Sequence, residues 1–523
     1  MSSRSIGLRL ISGAFVACLL MVPAMSSAAE KLSPLISELF RAPEYKQAHC
    51  GCLVIDLATG ATIYELNADK LFAPASTTKL YSCATALDAL GASYRFATPV
   101  HRRGEVDGGG RLKGDLILVA SGDLTFGGRT TSDGKIDFVN NDHTYANDSA
   151  KGELTPTDPL QGLNELAQKV AAAGIAQVRG DVLIDDRLFD AAESTGSGPA
   201  RVSPILINDN VIDIVLTPAQ SGQLAQLSWR PQTASLRVDS RVFTVAAGDS
   251  LEIDVQAIGP RNLLVSGKIP EGHKPLLKTF EVPDPASFAR SLLIEALQRN
   301  GVVVERSLWA DNARDRLPGR EEVARLPRVA EFQSPPLSES IKLIFKVSHN
   351  LHASTLPLII AAKNGKRTLG AGLLLQRDFL LKAGVDADSI SFGGGAGGSP
   401  ADAVTPRATV QLLRHMASRP DASVYRNGLP LLGIDGTLFD AVAANSPARG
   451  RVQAKTGTLF FQNLLNNRYL VTSKALAGYM TTARQKNLAF AVFINNAHIA
   501  TDADTTRVSR TLGRFCELVW EAN

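Results

Sequence analysis

The stretch PASTTKLYSCATALDAL, residues 74–90, carries the reading of this chain. Pro74 opens it, Leu80, Cys83, Ala84, Leu87 and Leu90 recur at helical spacing, and Gly91 supplies a stop. The pattern predicts a helix with Ser76 and Lys79 at its start. Residues three apart share a helix face, so the Lys79 amine can reach the Ser76 hydroxyl with no histidine between them. A serine hydroxyl is a poor nucleophile near neutral pH and needs an adjacent base. A lysine becomes one when burial or a second cation lowers its pKa. The helix N-terminus adds free N–H groups and partial positive charge where an oxyanion would develop. The arrangement points to acyl transfer through a serine ester.

Alone, these letters also describe a capping serine followed by a solvated lysine. A second Ser-x-x-Lys, Ser132 to Lys135 in TTSDGKID, lies among glycine and polar residues that disfavour a helix. Two downstream elements single out the first copy. Ser348-His349-Asn350 lies in FKVSHNLHASTLPLII, and Lys455-Thr456-Gly457-Thr458 in GRVQAKTGTLFF. Ser-x-x-Lys, a Ser-x-Asn element and Lys-Thr-Gly, in that order, form the signature set of penicillin-binding proteins and class A β-lactamases. Gly457 in a strand-like run would let a ligand approach the backbone closely.

With these motifs the chain resembles the penicillin-recognising serine D,D-peptidases, and more narrowly the low-molecular-mass class C penicillin-binding proteins. Those are D-alanyl-D-alanine carboxypeptidases that also act as endopeptidases. About 270 residues separate Lys79 from Ser348, and class C proteins carry extra domains in that gap. The segments GDLILVASGD (114–123), RGDVLIDDRLF (179–189), LPLLGIDGTL (429–438), AKTGTL (454–459) and ALAGYM (475–480) also resemble that family. The resemblance implies that Ser76 attacks the carbonyl between two D-alanines while Lys79 takes its proton. Ser348 would relay a proton to the leaving amine, with Asn350 beside it. Lys455, helped by Thr456 and Thr458, would bind the terminal carboxylate and help depress the pKa of Lys79. The backbone N–H groups of Ser76 and Thr458 would form the oxyanion hole. It further implies that penicillin acylates Ser76, and that neither metal nor organic cofactor takes part. Asp185, Asp186 and Phe189 would contact the amine of the stem peptide from the inserted region.

Three departures bear on substrate choice. The loop Gly393-Gly-Gly-Ala-Gly-Gly-Ser399-Pro400-Ala-Asp402 replaces a family loop that carries an acid and a leucine. About ten extra residues, within FFQNLLNNRYLVTSK, follow Lys-Thr-Gly and predict a long hairpin. Phe460 stands where some relatives have a polar contact to the stem.

The first 29 residues read as a secretory signal: basic Arg4 and Arg9, an apolar run from Ile11 to Pro23, and Ser27-Ala28-Ala29 as a small-residue cleavage site. The expectation is a soluble, periplasmic protein with no later membrane span. Cys50, Cys52, Cys83 and Cys516 remain after processing, open to disulfides in an oxidising compartment or to life as buried thiols. Cys50 and Cys52 would share one strand face. His49 beside Cys50 and Cys52 lacks a clustered ligand set with metal spacing, and His349 and His352 form an HxxH pair read as structural rather than metal-binding. The formal charge of +4, without a basic block, argues against nucleic acid. The 45% apolar content suits a large core.

The architecture expected is α+β: an antiparallel sheet with helices on both faces, split by an insertion. Residues 30–98 and 285–523 form the catalytic domain, and 99–284 form two small, mostly β domains, one nested in the other. Within the insertion, 160–175 reads as a helix and 127–158 as a polar loop. Peptidoglycan peptides and β-lactams are the expected partners. A β-lactamase or a non-hydrolytic penicillin- or peptidoglycan-binding protein stands as the alternative.

Overall fold

The computed structural model describes residues 27–523, so the expected signal segment lies outside it but for its last three residues. The central sheet draws on both ends of the chain. Strands β1 (His49–Asp56) and β2 (Thr62–Leu66) come from the first part, and β3 (Val452–Asn463), β4 (Arg468–Thr481) and β5 (Asn487–Asn495) from the last. Their order is β3-β4-β5-β1-β2, antiparallel throughout, with Cys52 opposite Val492 where the two ends meet. The β1–β2 turn follows from Asp56, whose carboxylate accepts from the Ala58 and Thr59 N–H groups, and from Gly60 at φ +74°.

Period-two alternation along β5 decides how the two faces are covered. Leu488, Phe490, Val492 and Ile494 point to one side, Ala489, Ala491 and Phe493 to the other. The large side chains meet helices α1 (Ser27–Leu39) and α6 (Thr505–Ala522) through Leu32, Ile36, Val508, Leu512 and Phe515. On the alanine side α2 (Lys79–Leu90), α3 (Leu337–Lys346), α4 (Asn350–Lys363) and α5 (Pro406–Ser418) share one core with the sheet. Full burial of a side chain such as Phe490 contributes about 1.5–3 kcal/mol. Cys50, Cys52, Cys83 and Cys516 are free thiols, and Cys50, Cys52 and Cys516 pack in the same cluster.

The intervening chain builds a second sheet whose principal strands are Ala97–Val106, Arg111–Val119, Val182–Asp185 and Arg328–Gln333. Helices Gln161–Ala172 and Pro285–Arg299 cover it through Leu163, Leu166, Leu292 and Leu297. Two three-stranded sheets between Val211 and Glu281 enclose a separate small core of Ile212, Ile214, Val242 and Val265. The sequence reading returns the chain to the catalytic layer at 285. Helix Pro285–Arg299 and strand Arg328–Gln333 pack with the inserted sheet instead, so we place the return near residue 334. The apolar pattern of that helix does not say which sheet it covers.

The polar stretch 127–158 is also more than a surface loop. Arg129, Asp142 and His143 in it are buried, and Asn140 accepts a hydrogen bond from the Gly436 N–H at 2.8 Å. Its polar groups pair with one another and with the catalytic layer, a partnership that hydropathy cannot register.

Candidate active site

Ser76 lies on a 3₁₀ turn, Ala75–Thr78, that runs directly into α2. The turn is pinned from the sheet: Ser473 Oγ and Asn495 Nδ2 both donate to the Ala73 carbonyl, at 2.7 and 3.2 Å. Gly457 packs so closely that a Cβ there would sit 2.5 Å from the Pro74 carbonyl oxygen. Lys79, one turn on, is wholly buried. Its Nζ lies 2.8 Å from Ser76 Oγ, 2.6 Å from Asn350 Oδ1 and 2.8 Å from the Ala396 carbonyl oxygen. A neutral amine has two N–H groups and one lone pair. Asn350 and Ala396 accept the two, which leaves the lone pair for the Ser76 hydroxyl proton.

The facing wall is Ser348 to Asn350, at the entry to α4. Ser348 has φ +64°, and His349 caps the helix, its Nδ1 accepting the His352 N–H at 3.4 Å. Tyr145 braces this bend: its hydroxyl donates to the Ser348 carbonyl at 2.7 Å and accepts the Asn350 N–H at 3.1 Å. Asn350 Nδ2 donates to the Ser197 carbonyl at 2.9 Å, which orients Oδ1 toward Lys79.

β3 is the edge strand of the sheet. On it, Lys455 Nζ donates to Ser348 Oγ at 2.9 Å and to the Thr456 carbonyl at 2.8 Å. Thr456 and Thr437 share a hydroxyl hydrogen bond of 2.7 Å. Lys474, opposite Thr458 on β4, donates to the Thr458 hydroxyl at 2.8 Å. Ser76, Tyr145, Ser348, Asn350, Thr458 and Lys474 all border one cleft of about 270 Å³.

Burial depresses three lysines in this pocket, and Lys455 further lowers Lys79 as Lys474 lowers Lys455. Burial, then the charge of Lys455, holds Lys79 well below the ordinary lysine value. Burial brings Lys455 to about 7 and Lys474 to about 8. A general base near neutral pH and a cation that an incoming carboxylate can restore are both available.

The structure thus gathers Ser76, Lys79, Ser348, Asn350, Lys455, Thr456, Gly457 and Thr458 in one place. It does not bring the other expected contacts to the cleft. Asp185 is tied to Arg187 at 2.8 Å, and Asp186 to Arg314 at 2.8 Å. Asp186 and Phe189 line a separate groove shared with Arg201 and Glu281. Phe460 sits at a bulge of β3, packed edge-on to Tyr469 and outside the cleft lining. Sequence reasoning missed Tyr145, Ser197 and Lys474, none of which carries a motif. Only Lys474's place beside ALAGYM, opposite Lys-Thr-Gly-Thr in a hairpin, could have flagged it. The glycine loop 393–402 keeps an acid after all: Asp402 accepts from Gly393 N–H and Ser399 N–H at 2.8 and 2.9 Å, closing the loop that offers Ala396 to Lys79.

Residues 32–514 match the family described as D-Ala-D-Ala carboxypeptidase 3 (S13). A D-alanyl-D-alanine carboxypeptidase of Actinomadura sp. is 29% identical over 88% of this chain and 80% of its own. The D-alanyl-D-alanine carboxypeptidase DacB of Haemophilus influenzae is 23% identical over 86% of this chain and 85% of its own. The crystal structure of penicillin binding protein 4 from Haemophilus influenzae superposes with a TM-score of 0.67 at 21% identity, covering 92% of this chain and 98% of that one. This likeness establishes the α+β penicillin-binding fold.

Proposed function

Since the chain belongs to the D-Ala-D-Ala carboxypeptidase 3 (S13) family of serine peptidases, we propose that it removes terminal D-alanine from peptidoglycan stem peptides and cuts their cross-links through an acyl-enzyme on Ser76. The observation that carries this reading is the contact of buried Lys79 with Ser76, 2.8 Å long, beside a second buried lysine. Lys79 takes the hydroxyl proton as Ser76 Oγ attacks the carbonyl carbon of the penultimate D-alanine. The tetrahedral oxyanion is met by the N–H groups of Ser76 and Thr458. Collapse expels the terminal D-alanine, whose amine takes a proton through Ser348, itself held by Lys455. Water then cleaves the ester. Lys455 and Lys474, with Thr456 and Thr458, receive the free carboxylate.

A β-lactam, presenting the same carboxylate and a strained amide, acylates Ser76 in this reading. A β-lactamase needs a base positioned to activate water against that ester. Asp142, the acid that borders the cleft, is committed to Arg129 through both oxygens, at 2.6 and 3.0 Å. That favours the peptidase. Among the described residues no helix is long and apolar enough to cross a membrane. The basic and apolar leader supports export to the periplasm, where the substrate lies.

The test is incubation of the purified protein with monomeric and cross-linked muropeptides, with products weighed by mass spectrometry. Loss of one D-alanine, and of cross-links, is expected. Ser76→Ala should abolish both and also labelling by fluorescent penicillin. Labelling that survives in Ser76→Ala would move the nucleophile elsewhere.

A further inference from the structure

Behind the Ser348–Asn350 wall lies a buried charge cluster that the chemistry above does not use. Asp209 stands at its centre. Its Oδ2 accepts from Arg129 at 2.8 Å and from His143 Nε2 at 2.9 Å, and its Oδ1 from His352 Nε2 at 2.6 Å. His349 Nε2 is 3.2 Å from Oδ1. The His349 and His352 rings stack at 3.6 Å, and neither is exposed. Asp209 belongs to the inserted region, whereas His349 lies between the two functional side chains of the wall and His352 is one turn into α4.

The local backbone explains how the carboxylate gets there. Asn208, Asp209 and Asn210 have φ of +52°, +53° and +56°. Left-handed backbone is tolerated best by Asn and Asp among residues with a Cβ, and runs of it are rare. Asn210 Oδ1 accepts the Ile207 N–H at 3.1 Å, and Asn208 Nδ2 donates to the Val211 carbonyl at 2.9 Å, locking the bend.

We propose that Asp209 is a positioning residue: acting through His352 and His349, it fixes from the inserted region the segment that presents Ser348 to the leaving amine and Asn350 to Lys79. The proposal rests on the serine peptidase reading above. Ser348 itself adopts left-handed backbone, so the wall needs an outside hold to keep its geometry. Displacement of a catalytic group by about 1 Å can cost about 100-fold in rate.

Asp209, His349 and His352 also bring their ligand atoms within 4.8 Å of one another, close enough to hold a metal ion. The cluster's charges already close without one. Arg129, Arg230 and a protonated His143 face Asp142, Asp209 and Asp213. Those carboxylates hold His143 up at about 10, while burial and His349 hold His352 down at about 4. An added dication would have to share the Asp209 carboxylate with the Arg129 guanidinium.

The full-length protein and Asp209→Asn would be compared by stopped-flow acylation with a fluorescent penicillin, which separates the acylation rate constant from the affinity of the non-covalent complex. A rate constant lower by about 10-fold or more, with affinity within about twofold, is expected. A purely structural role would lower the melting temperature and leave that split unmoved, and an unchanged rate constant overturns the proposal. Should Asp209→Asn fail to fold, His352→Gln serves instead, with the same expected loss in rate constant and the same overturning result. Retention of one equivalent of zinc by the wild type after chelation and gel filtration would also overturn it. A wild type that penicillin does not acylate would overturn the peptidase reading as well, so the two failures are distinguishable.

Discussion

Gly397 lies against the nucleophile turn so closely that a Cβ on it would stand 1.9 Å from the Ala75 carbonyl oxygen. Its φ of +95° is open only to glycine in practice. Both facts serve Lys79: the loop must approach this closely for the Ala396 carbonyl to accept from Nζ at 2.8 Å. Gly397→Ala should therefore cost about 1–3 kcal/mol of stability through backbone strain and overpacking. It should also slow penicillin acylation by about 10-fold or more, because a shifted loop releases one of the two acceptors on the amine. Calorimetry and labelling kinetics on the same preparation check both halves.

Asn350→Asp keeps the shape of the Lys79 contact and changes its charge. A carboxylate 2.6 Å from Nζ, in place of the amide oxygen, favours protonated lysine and raises its pKa. The expected result is acylation at pH 7 slower by about 100-fold, the general-base contribution. The rate should recover partly as pH rises, since deprotonation returns the base. A flat pH profile would show that Lys79 does not act as the base.

Lys455 at about 7 and Lys474 at about 8 make carboxylate recognition pH-dependent. The free enzyme loses both charges as pH rises through 7 to 9, so KM for a D-alanyl-D-alanine peptide should climb across that interval. Lys474 is one of the charges that depress Lys455. Lys474→Met should raise KM at pH 7 by about 3- to 10-fold, and the remaining climb should begin at higher pH because Lys455 then holds its proton longer. Steady-state kinetics from pH 6 to 9 on the two proteins decide it.

Much of the catalytic core was legible because its signals are local. Ser76 and Lys79 are three residues apart, and α6 shows its stripe in Val508, Leu512, Phe515 and Val519. The inserted region was read less well. Helix Pro285–Arg299 is amphipathic whichever sheet it joins, and the stretch 127–158 looks like solvent-exposed loop because Arg129, Asp142 and His143 find their partners inside. Asp185 and Asp186 are expected to meet the stem-peptide amine, yet Asp185 pairs with neighbouring Arg187 and Asp186 with distant Arg314.

From the sequence by itself came the chemistry: a hydroxyl, an amine one turn along, and a strand lysine, in an order that points to serine acyl transfer. Those features depend on short-range geometry that three or four adjacent residues specify. Only the tertiary structure decided what surrounds them: Tyr145 and Asp209 bracing the Ser348 wall, Lys474 joining Lys455, and Ala396 completing the shell of Lys79. The reason is physical. The pKa of a buried amine and the aim of a hydroxyl are set by desolvation and by partners up to about 300 residues away in the chain, and such neighbours exist only once the layers have packed.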